Sequence, residues 1–541
     1  MALMSELKKQ MQSKNLDELI ELLCKPDEDL RFSQFVDLSS MPEAPLLKTE
    51  FTGRPLMHAK LVRRMIAPMV LEKIGPARFL DDSRILKAVD NQAMLPRITY
   101  LYPQMVDMNK VMTEFVAARG PLPPAKRILA FGLGGSASGP LLAREIIQNQ
   151  GYSVPFDIHT SYPERFHGID ADTMVVACSY SGNTEEILHA FDYAQRRTKN
   201  LLMLARGGEL GKLRDEYPFI EIPESDIVMP RESIGYWLTA FLFIVSSLGI
   251  AKRDDGTIFR FDISEVEAIQ PQLDEIDKAC AGETPFAENP AKQYATYFLY
   301  GTSSGEPSPE IGWQHPREPV FLLDGADRAI GKRLANQFGE TVEHPMTLLM
   351  FAEDAHNEIE SAATIMLEDQ LYEGPRRRSY ILISGRPYEA SNAKHEENRA
   401  VQRIEATLDV LFNQHGVDFL RIETEGSSLL ERKLSLLKLL DYSRFYTSIL
   451  LGTNPLWIVF MDMMKKVTAK IPGTADRELL RLLAEDGKFP ISKEDALADE
   501  EVKNSFPALR RTILDRLINQ GYLTAEGEML SLSDKGKEFV G

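Results

Sequence analysis

Hydroxyl groups cluster in one short stretch of the chain, where an apolar run ends and a helical pattern begins. Residues 174–178 are apolar, Ser179, Ser181 and Thr184 follow, and Glu185 opens a helical stretch. The free N–H groups of a helix N-terminus favour an anion, and serine and threonine hydroxyls add donors. The pattern predicts a strand, a phosphate-binding loop and a helix. An ordinary capped turn between strand and helix is the alternative.

A glycine-rich loop with a similar arrangement lies upstream. Residues 127–131 are typical of a strand, and the segment that follows contains Gly134, Gly135 and Ser136 before a helical pattern. Glycine allows the backbone to approach a ligand closely. The spacing is not that of a dinucleotide-binding loop, because Ala137 stands where the third glycine is expected. We expect the two loops to share one ligand at the carboxyl ends of parallel strands.

Three further positions carry side chains that are suited to chemistry on a sugar phosphate. Arg231 precedes an apolar helical stretch, Glu340 ends another helical stretch, and His356 lies beside two polar residues. A carboxylate can move a proton between neighbouring carbons, and a cation can stabilise the oxyanion that develops. Each position alone says little, because a lone histidine is more often structural and a lone glutamate is usually solvated.

Composition sets limits on the class of protein. The chain has 541 residues, of which 44% are hydrophobic, and a net charge of −18, which argues against nucleic acid as a partner. Its three cysteines, Cys24, Cys178 and Cys280, predict neither a disulfide framework nor a metal cluster, and we expect no cofactor. With neither a leader nor a membrane-spanning stretch in the pattern, the expected location is the cytoplasm.

Strand and helix patterns alternate through most of the chain, which predicts an α/β fold with two doubly wound parallel sheets. The expected division is a helical segment over 1–85, a first α/β domain over 86–265, a second over 266–470 and a small domain over 471–541. Strands are expected near 127–132, 155–159, 173–178, 200–204, 218–222, 297–300, 320–323, 346–350 and 380–384.

The C-terminal segment changes character. Two amphipathic helical patterns and two short strand patterns there are similar to a winged helix. Winged helices often bind DNA, and Arg510, Arg511 and Arg516 lie on the helix that would enter the groove. The segment from Asp476 onward nevertheless has more acidic than basic residues, whereas DNA binding needs a cationic surface. We therefore prefer a protein contact as the role of this segment.

Taken together, these stretches resemble the bifunctional phosphoglucose/phosphomannose isomerases of the sugar isomerase (SIS) superfamily, over roughly residues 86–470. The most specific marks are Gly134-Gly135-Ser136, Ser179-Tyr180-Ser181-Gly182-Asn183-Thr184, Pro230-Arg231, Glu288-Asn289-Pro290-Ala291-Lys292 and His356-Asn357-Glu358. Asn454-Pro455 is similar to the family's Asp-Pro before a final helix, which sets Lys465 at the position of the family's lysine.

The resemblance implies a role for each of these residues. The substrate phosphate would be bound by Gly135, Ser136, Ser179, Ser181 and Thr184. The resemblance requires no metal, and it implies a homodimer.

The catalytic roles implied by the resemblance fall on four residues. Glu340 would move a proton between C1 and C2, and Arg231 would stabilise the enediolate. His356, which family dimers supply from the neighbouring subunit, would assist ring opening, and Lys465 would assist at the ring oxygen.

Two departures from the family pattern bear on activity. The family's Asn-Glu-Asn-Ala-Lys around the base is Gly339-Glu340-Thr341-Val342-Glu343 here, so a glutamate stands in place of the lysine. Ile458 stands where the family has a threonine linked to accepting mannose 6-phosphate, which weakens the expectation of mannose activity more than that of glucose activity.

Two functions remain open at this point. The first is an isomerase of glucose 6-phosphate and fructose 6-phosphate, with mannose 6-phosphate as a second substrate. The alternative is a non-catalytic, regulatory sugar-phosphate-binding protein that signals through its C-terminal module. The retained Glu340, His356, Arg231 and Lys465 favour the enzyme, because binding alone does not need a base.

Overall fold

A computed structural model describes residues 11, 13–30, 54–91, 93–162, 168–225, 229–306, 312–313, 315–351, 364, 378–384, 406, 409–410, 418–456, 473–485 and 487–540. The helices that the argument uses, numbered in chain order, are α1 (Leu16–Leu23), α2 (Arg54–Asp81), α3 (Ser83–Val89), α4 (Met94–Thr99), α5 (Leu101–Arg119), α6 (Gly135–Asn149), α7 (Glu185–Gln195), α8 (Gly208–Gly211), α9 (Ile234–Leu248), α10 (Ile263–Ala279), α11 (Pro290–Tyr300), α12 (Arg328–Gln337), α13 (Leu429–Leu450), α14 (Thr474–Glu485), α15 (Lys493–Ala498), α16 (Glu500–Ser505), α17 (Arg510–Asn519) and α18 (Asp534–Val540). The strands are β1 (Arg127–Phe131), β2 (Phe156–His159), β3 (Thr173–Ser179), β4 (Leu201–Ala205), β5 (Phe219–Glu221), β6 (Glu318–Asp324), β7 (Thr347–Phe351), β8 (Arg378–Ser384), β9 (Phe419–Glu423), β10 (Ile491–Ser492), β11 (Leu523–Glu526) and β12 (Met529–Leu532).

The first sheet of the described chain is parallel and has five strands in the order β2-β1-β3-β4-β5. Every residue of β3 is buried, because helices cover the sheet on both faces. The chain leaves β1 toward one side and then returns to form β3 on the other side. The carboxyl ends of β1 and β3 therefore flank the point at which the strand order reverses, where doubly wound sheets bind their ligands.

The second sheet has four strands in the described residues, in the order β7-β6-β8-β9, and is also parallel. Its order repeats that of the first four strands of the first sheet, with β6 in the place of β1. The prediction of an α/β fold with two doubly wound parallel sheets is thus confirmed, and helices surround both sheets.

One predicted strand is wrong and another was missed. Residues 297–300 lie in α11 instead of a strand. The side chain of Asn289 accepts a hydrogen bond from the N–H of Lys292, Pro290 opens the helix, and Gly301 ends it with φ +67°. These caps outweigh the strand preference of the aromatic residues. The strand that the sequence pattern does not predict is β9, at the edge of the second sheet.

The described C-terminal residues form a separate antiparallel sheet of three strands, in the order β10-β12-β11, with α14 to α18 around it. A hydrophobic core joins this unit to one face of the first sheet, since Leu480 and Leu514 belong to the same cluster as Phe131 and Val175. A second core fills the other face of the first sheet and continues into the N-terminal helices and the second sheet. The winged-helix assignment and the four domain boundaries stay predictions.

Within the described residues, no helix is both long and apolar enough to cross a lipid bilayer.

Candidate active site

The glycine-rich loop lies directly after β1, as the sequence predicts. α6 begins at Gly135, and Gly134 precedes it with φ +53°, a conformation that favours glycine. Ser136 lies in the first turn and is buried, with 7% of its surface exposed. The loop therefore presents the backbone N–H groups of a helix N-terminus at the edge of the sheet where β3 also ends.

The hydroxyl loop after β3 is held together by its own side chains. The Oγ of Ser179 lies 2.9 Å from the Oγ1 of Thr184 and accepts a hydrogen bond from the N–H of Gly182 at 3.1 Å. The Oγ of Ser181 accepts one from the N–H of Asn183 at 3.2 Å. Ser179 is buried, whereas Ser181 is exposed to solvent. Ser179 thus shapes the loop, and Ser181 is the hydroxyl most open to a ligand.

No side-chain hydrogen bond from the N-cap residue caps α7. Thr184 occupies the N-cap position, but its side chain makes no capping hydrogen bond to the helix backbone, because its hydroxyl is engaged with Ser179. The Oδ1 of Asn183 instead accepts from the N–H of Glu209, outside the helix. The first N–H groups of α7 consequently have no side-chain cap from Thr184, which suits an anion at this end.

A supporting loop that the sequence analysis missed lies after β4. The N–H of Arg206 donates to the carbonyl of Tyr180 at 3.0 Å, and the N–H of Leu210 donates to the carbonyl of Gly182 at 3.1 Å. A β-carbon at Gly182 would stand 1.9 Å from the carbonyl oxygen of Gly207. The pair Gly207-Gly208, one residue after the buried strand β4, is the sequence signal that could have predicted this close approach.

The glycine-rich loop also touches the segment that carries Arg231. A β-carbon at Gly135 would lie 2.5 Å from the carbonyl oxygen of Pro230 and 3.3 Å from the Cα of Arg231. Residues Pro230–Glu232 form a single 3-10 turn ahead of α9. The close packing of two backbones here places Arg231 directly beside the loop expected to bind phosphate.

Arg231 in turn lies beside Glu340. The Nε of Arg231 is 3.9 Å from the Oε2 of Glu340, and its guanidinium donates to the carbonyls of Pro455 and Leu456, both at 3.3 Å. The Arg231 side chain is 6% exposed and that of Glu340 is 27% exposed. A fixed cation therefore adjoins a carboxylate that solvent or a substrate can reach. This arrangement suits proton transfer with stabilisation of a nearby oxyanion.

Comparisons with known proteins show which proteins this chain resembles. The family model described as "Bacterial phospho-glucose isomerase C-terminal SIS domain" matches residues 314–467. A protein of Caldicellulosiruptor bescii named "Bifunctional phosphoglucose/phosphomannose isomerase" is 25% identical over 348 residues, which cover 64% of this chain and 90% of that protein. A protein of the same name from Thermoplasma volcanium is 26% identical over 345 residues, covering 63% and 91%.

The chain is similar to these bifunctional phosphoglucose/phosphomannose isomerases over most of their length. Among solved structures, a hypothetical protein of Thermus thermophilus is similar at 15% identity and a TM-score of 0.49, covering 73% of this chain and 98% of that one.

A buried network of charged side chains holds the backbone at Arg231 in place. The carbonyl of Arg231 accepts from a guanidinium nitrogen of Arg333 at 2.9 Å, and Arg333 also pairs with Asp441 at 2.7 Å. Glu232 accepts from Arg444 at 2.8 Å. Burial raises the pKa of Asp441, but the positive charges of Arg333 and Arg444 outweigh burial, so the net shift of that pKa is downward. The network fixes the backbone on both sides of Arg231.

Glu340 sits in a π-helical turn, Phe338–Val342, that extends α12. Such turns are often found at functional sites, and here the turn follows directly on the helix that supplies Arg333. Glu343 ends the turn with φ +52°, an uncommon conformation for a residue other than glycine.

Two of the predicted catalytic residues, His356 and Lys465, lie outside the described residues, and so does Ile458. The structure places Gly135 against the Arg231 turn and Arg231 beside Glu340. The hydroxyl loop follows β3, the strand that pairs with β1. In the described part of the chain, no group of three or more His, Cys, Asp or Glu side chains is placed to hold a metal ion.

Proposed function

We propose that this protein is an aldose–ketose isomerase that interconverts glucose 6-phosphate and fructose 6-phosphate. The observation that carries the proposal is the ionic contact of Arg231 with Glu340, beside a loop suited to phosphate. The relatives named as phosphoglucose/phosphomannose isomerases support the same chemistry.

The phosphate group of the substrate binds between the loops after β1 and β3. Ser136, Ser181 and Thr184 and the backbone N–H groups from Gly135 onward donate hydrogen bonds to its oxygens, while Ser179 keeps the second loop in shape. Binding energy from this distant group holds the reacting carbons against Glu340.

Proton transfer follows at the other end of the sugar. Once the ring is open, the Glu340 carboxylate removes the proton from C2 of the aldose. The electron pair enters the C1–C2 bond and C1=O becomes an enediolate oxygen. Glu340 then returns the proton to C1, and the proton of the C2 hydroxyl moves to the oxygen on C1, which leaves the ketose. Arg231 stabilises the negative charge of the enediolate.

Several finer assignments belong to the same proposal. His356 assists ring opening, from the neighbouring subunit of a homodimer, and Lys465 assists at the ring oxygen. Mannose 6-phosphate is a second substrate, used less well because Ile458 replaces a threonine. The reaction serves cytoplasmic sugar metabolism in glycolysis and gluconeogenesis. The proposed domains are those expected above, and the winged-helix-like unit makes a protein contact instead of binding nucleic acid.

The test is a coupled assay with fructose 6-phosphate that follows glucose 6-phosphate and mannose 6-phosphate separately, for the unmodified protein and for Glu340→Gln. We expect turnover by the unmodified protein and a loss of about 10²- to 10⁴-fold in kcat for the variant, because an amide cannot accept the proton. The matched control is Glu267→Gln, an exposed position on α10, which should keep full activity. Saturable binding of the sugar phosphate without turnover by the unmodified protein would contradict the proposal.

A further inference from the structure

The N-terminal helix α2 reaches the turn that carries Glu340. A guanidinium nitrogen of Arg64 donates to the carbonyl of Val342 at 3.3 Å and to the Oγ1 of Thr453 at 2.7 Å. α2 lies before residue 86, where the resemblance to the isomerases begins, and before residues 314–467, which the family model matches. A helix from outside the matched region therefore contacts two segments. One is the π-helical turn Phe338–Val342, which carries the candidate base, and the other is the turn at residues 453–456.

Arg64 and Arg231 bridge the same two turns from different sides of the site. Arg231 binds the carbonyl of Glu340 at 3.5 Å and the carbonyls of Pro455 and Leu456. Arg64 binds the other end of the π-helical turn, at Val342, and the start of the second turn, at Thr453. Each turn is thus held at two points by two cations. One of the cations adjoins the Glu340 carboxylate, and the other does not.

A second contact of α2 secures the end of the π-helical turn. Lys60, which is 5% exposed, forms an ion pair with Glu343, the residue with φ +52° that closes the turn. The N–H of Glu343 donates to the carbonyl of Phe338 at 2.7 Å. A left-handed conformation costs free energy in a residue with a side chain, and a partly buried ion pair offsets that cost. The glutamate that departs from the family pattern thus has its cation on α2.

α2 is itself held firmly at this point. A β-carbon at Gly452, where φ is +64°, would stand 2.6 Å from the carbonyl oxygen of Arg63, so the two backbones are in close contact. The side chain of Arg63 donates to the carbonyls of Leu23 and Lys25 at 3.2 and 2.7 Å. Lys60 and Arg64 therefore project from a part of α2 that is fixed on both sides.

We propose that Arg64 and Lys60 are positioning residues for the isomerisation, and that the N-terminal helix is part of the catalytic apparatus. They hold the π-helical turn so that the Glu340 carboxylate stays next to Arg231 and aligned with the reacting carbons. Misplacement of a catalytic group by about 1 Å can cost about a hundredfold in rate. This inference rests on the proposed isomerase function.

The first test is Arg64→Gln in the full chain, assayed with fructose 6-phosphate. We expect kcat to fall by about ten- to a hundredfold. KM should change by less than about threefold, because the phosphate loops make none of these contacts. Arg64→Lys should recover part of the loss, since an ammonium group can still donate to Thr453. The control is Arg78→Gln, an exposed arginine that lies beyond the break in α2 at Gly75, where φ is +72°, and it should behave as the unmodified protein.

The second test exchanges the charges of the ion pair. Lys60→Glu and Glu343→Lys should each lower kcat, and the double variant should regain most of it, because the pair is restored in reverse. Thermal unfolding of every variant separates a loss of folded protein from a loss of kcat. If Arg64→Gln does not fold, Arg64→Lys and the charge exchange carry the test.

The outcomes separate this inference from the function on which it rests. Unchanged kcat in Arg64→Gln, or a charge exchange that recovers nothing, would overturn the positioning role while leaving the isomerase intact. Absence of turnover in the unmodified protein would overturn both.

Discussion

The turns after β1 and β6 occupy equivalent positions in the two parallel sheets. The turn after β1 is accessible to a ligand, whereas the turn after β6 is filled by a buried side chain. After β1 the chain passes through Gly134, which is exposed, into α6. After β6 it passes through Asp327 into α12, and the Nζ of Lys433 donates to the Oδ1 of Asp327 at 2.7 Å and to the Oε1 of Glu145 at 2.7 Å. The first turn stays open to a ligand, and a buried lysine closes the second.

Glu145 links the two turns. It lies on α6, the helix that begins at the turn after β1, and it binds the lysine that fills the turn after β6. Its Oε2 also accepts from the N–H of Ala329 at the start of α12, at 2.7 Å. The turn after β6 therefore joins α6, which begins at the glycine-rich loop, to α12, which leads to Glu340. Equal topology did not produce two binding sites, because side chains decide whether a turn binds a ligand or another helix.

The largest effect is expected from removing the charge that closes the second turn. Lys433→Met leaves Glu145 and Asp327 buried without their cation, so the free energy of unfolding should fall by about 3–5 kcal/mol in urea titrations. The control is Lys126→Met, which breaks an exposed pair with Asp172 and should cost about 0–1 kcal/mol. Equal effects of the two substitutions would show that the second turn is not closed by this lysine.

A distortion of the hydroxyl loop should weaken substrate binding as well as lower stability. Gly182→Ala adds a β-carbon that would stand 1.9 Å from the carbonyl of Gly207 at a residue with φ +70°. Strain of about 1–3 kcal/mol at the loop predicts a rise of about ten- to a hundredfold in KM for fructose 6-phosphate. Gly256→Ala shares a positive φ, at +85°, but meets nothing within 4 Å, so it should leave KM unchanged. A normal KM in Gly182→Ala would separate the hydroxyl loop from phosphate binding.

The closed turn should also respond to pH. Burial raises the pKa of Glu145 to about 7, although Lys433 and the hydrogen bond from Ala329 oppose the rise. The folded protein then holds a proton that the unfolded chain has already lost, so stability should fall as pH rises from the ordinary pKa of glutamate toward 7. The slope is at most about 1.4 kcal/mol per pH unit. Urea titrations between these limits should show a smaller slope for Glu145→Gln, and an identical slope would assign the pH dependence to other groups.

The smallest expected effect lies at the exposed hydroxyl of the open turn. Ser181→Ala removes one hydrogen bond to the phosphate, and about 1 kcal/mol predicts a rise in KM of about fivefold with kcat unchanged. Ser264→Ala, an exposed serine on α10, is the control. A fall in kcat at constant KM would place Ser181 near the reacting carbons instead.

Local patterns predicted most of the sheets but failed where caps or edges decided the outcome. The strands β1 and β3 were found because a buried parallel strand is a continuous apolar run. The aromatic residues before Gly301 also favour a strand, yet the caps at Asn289 and Gly301 make them helical. β9 is mostly half-buried and contains Arg421 and Glu423, so it had no apolar run to detect.

Some features of the candidate site were also predictable from the sequence, and others were not. Glycine and hydroxyl residues beside strand ends marked the two loops, and the positions of Glu340 and Arg231 followed from the resemblance. The contact between these two residues was not predictable from either motif alone, because it depends on the packing of the Pro230 turn against Gly135.

Local sequence patterns were enough to predict the α/β class, most of the strands and the two loops after β1 and β3. These properties depend on neighbours along the chain, which leave a periodic or compositional pattern. Only the tertiary structure decided that Lys433 closes the turn after β6 and that α2 supports the Glu340 turn. Lys60 and Glu343 are separated by 283 residues. A pair at that distance along the chain leaves no local pattern, because it forms only when packing brings the two elements together.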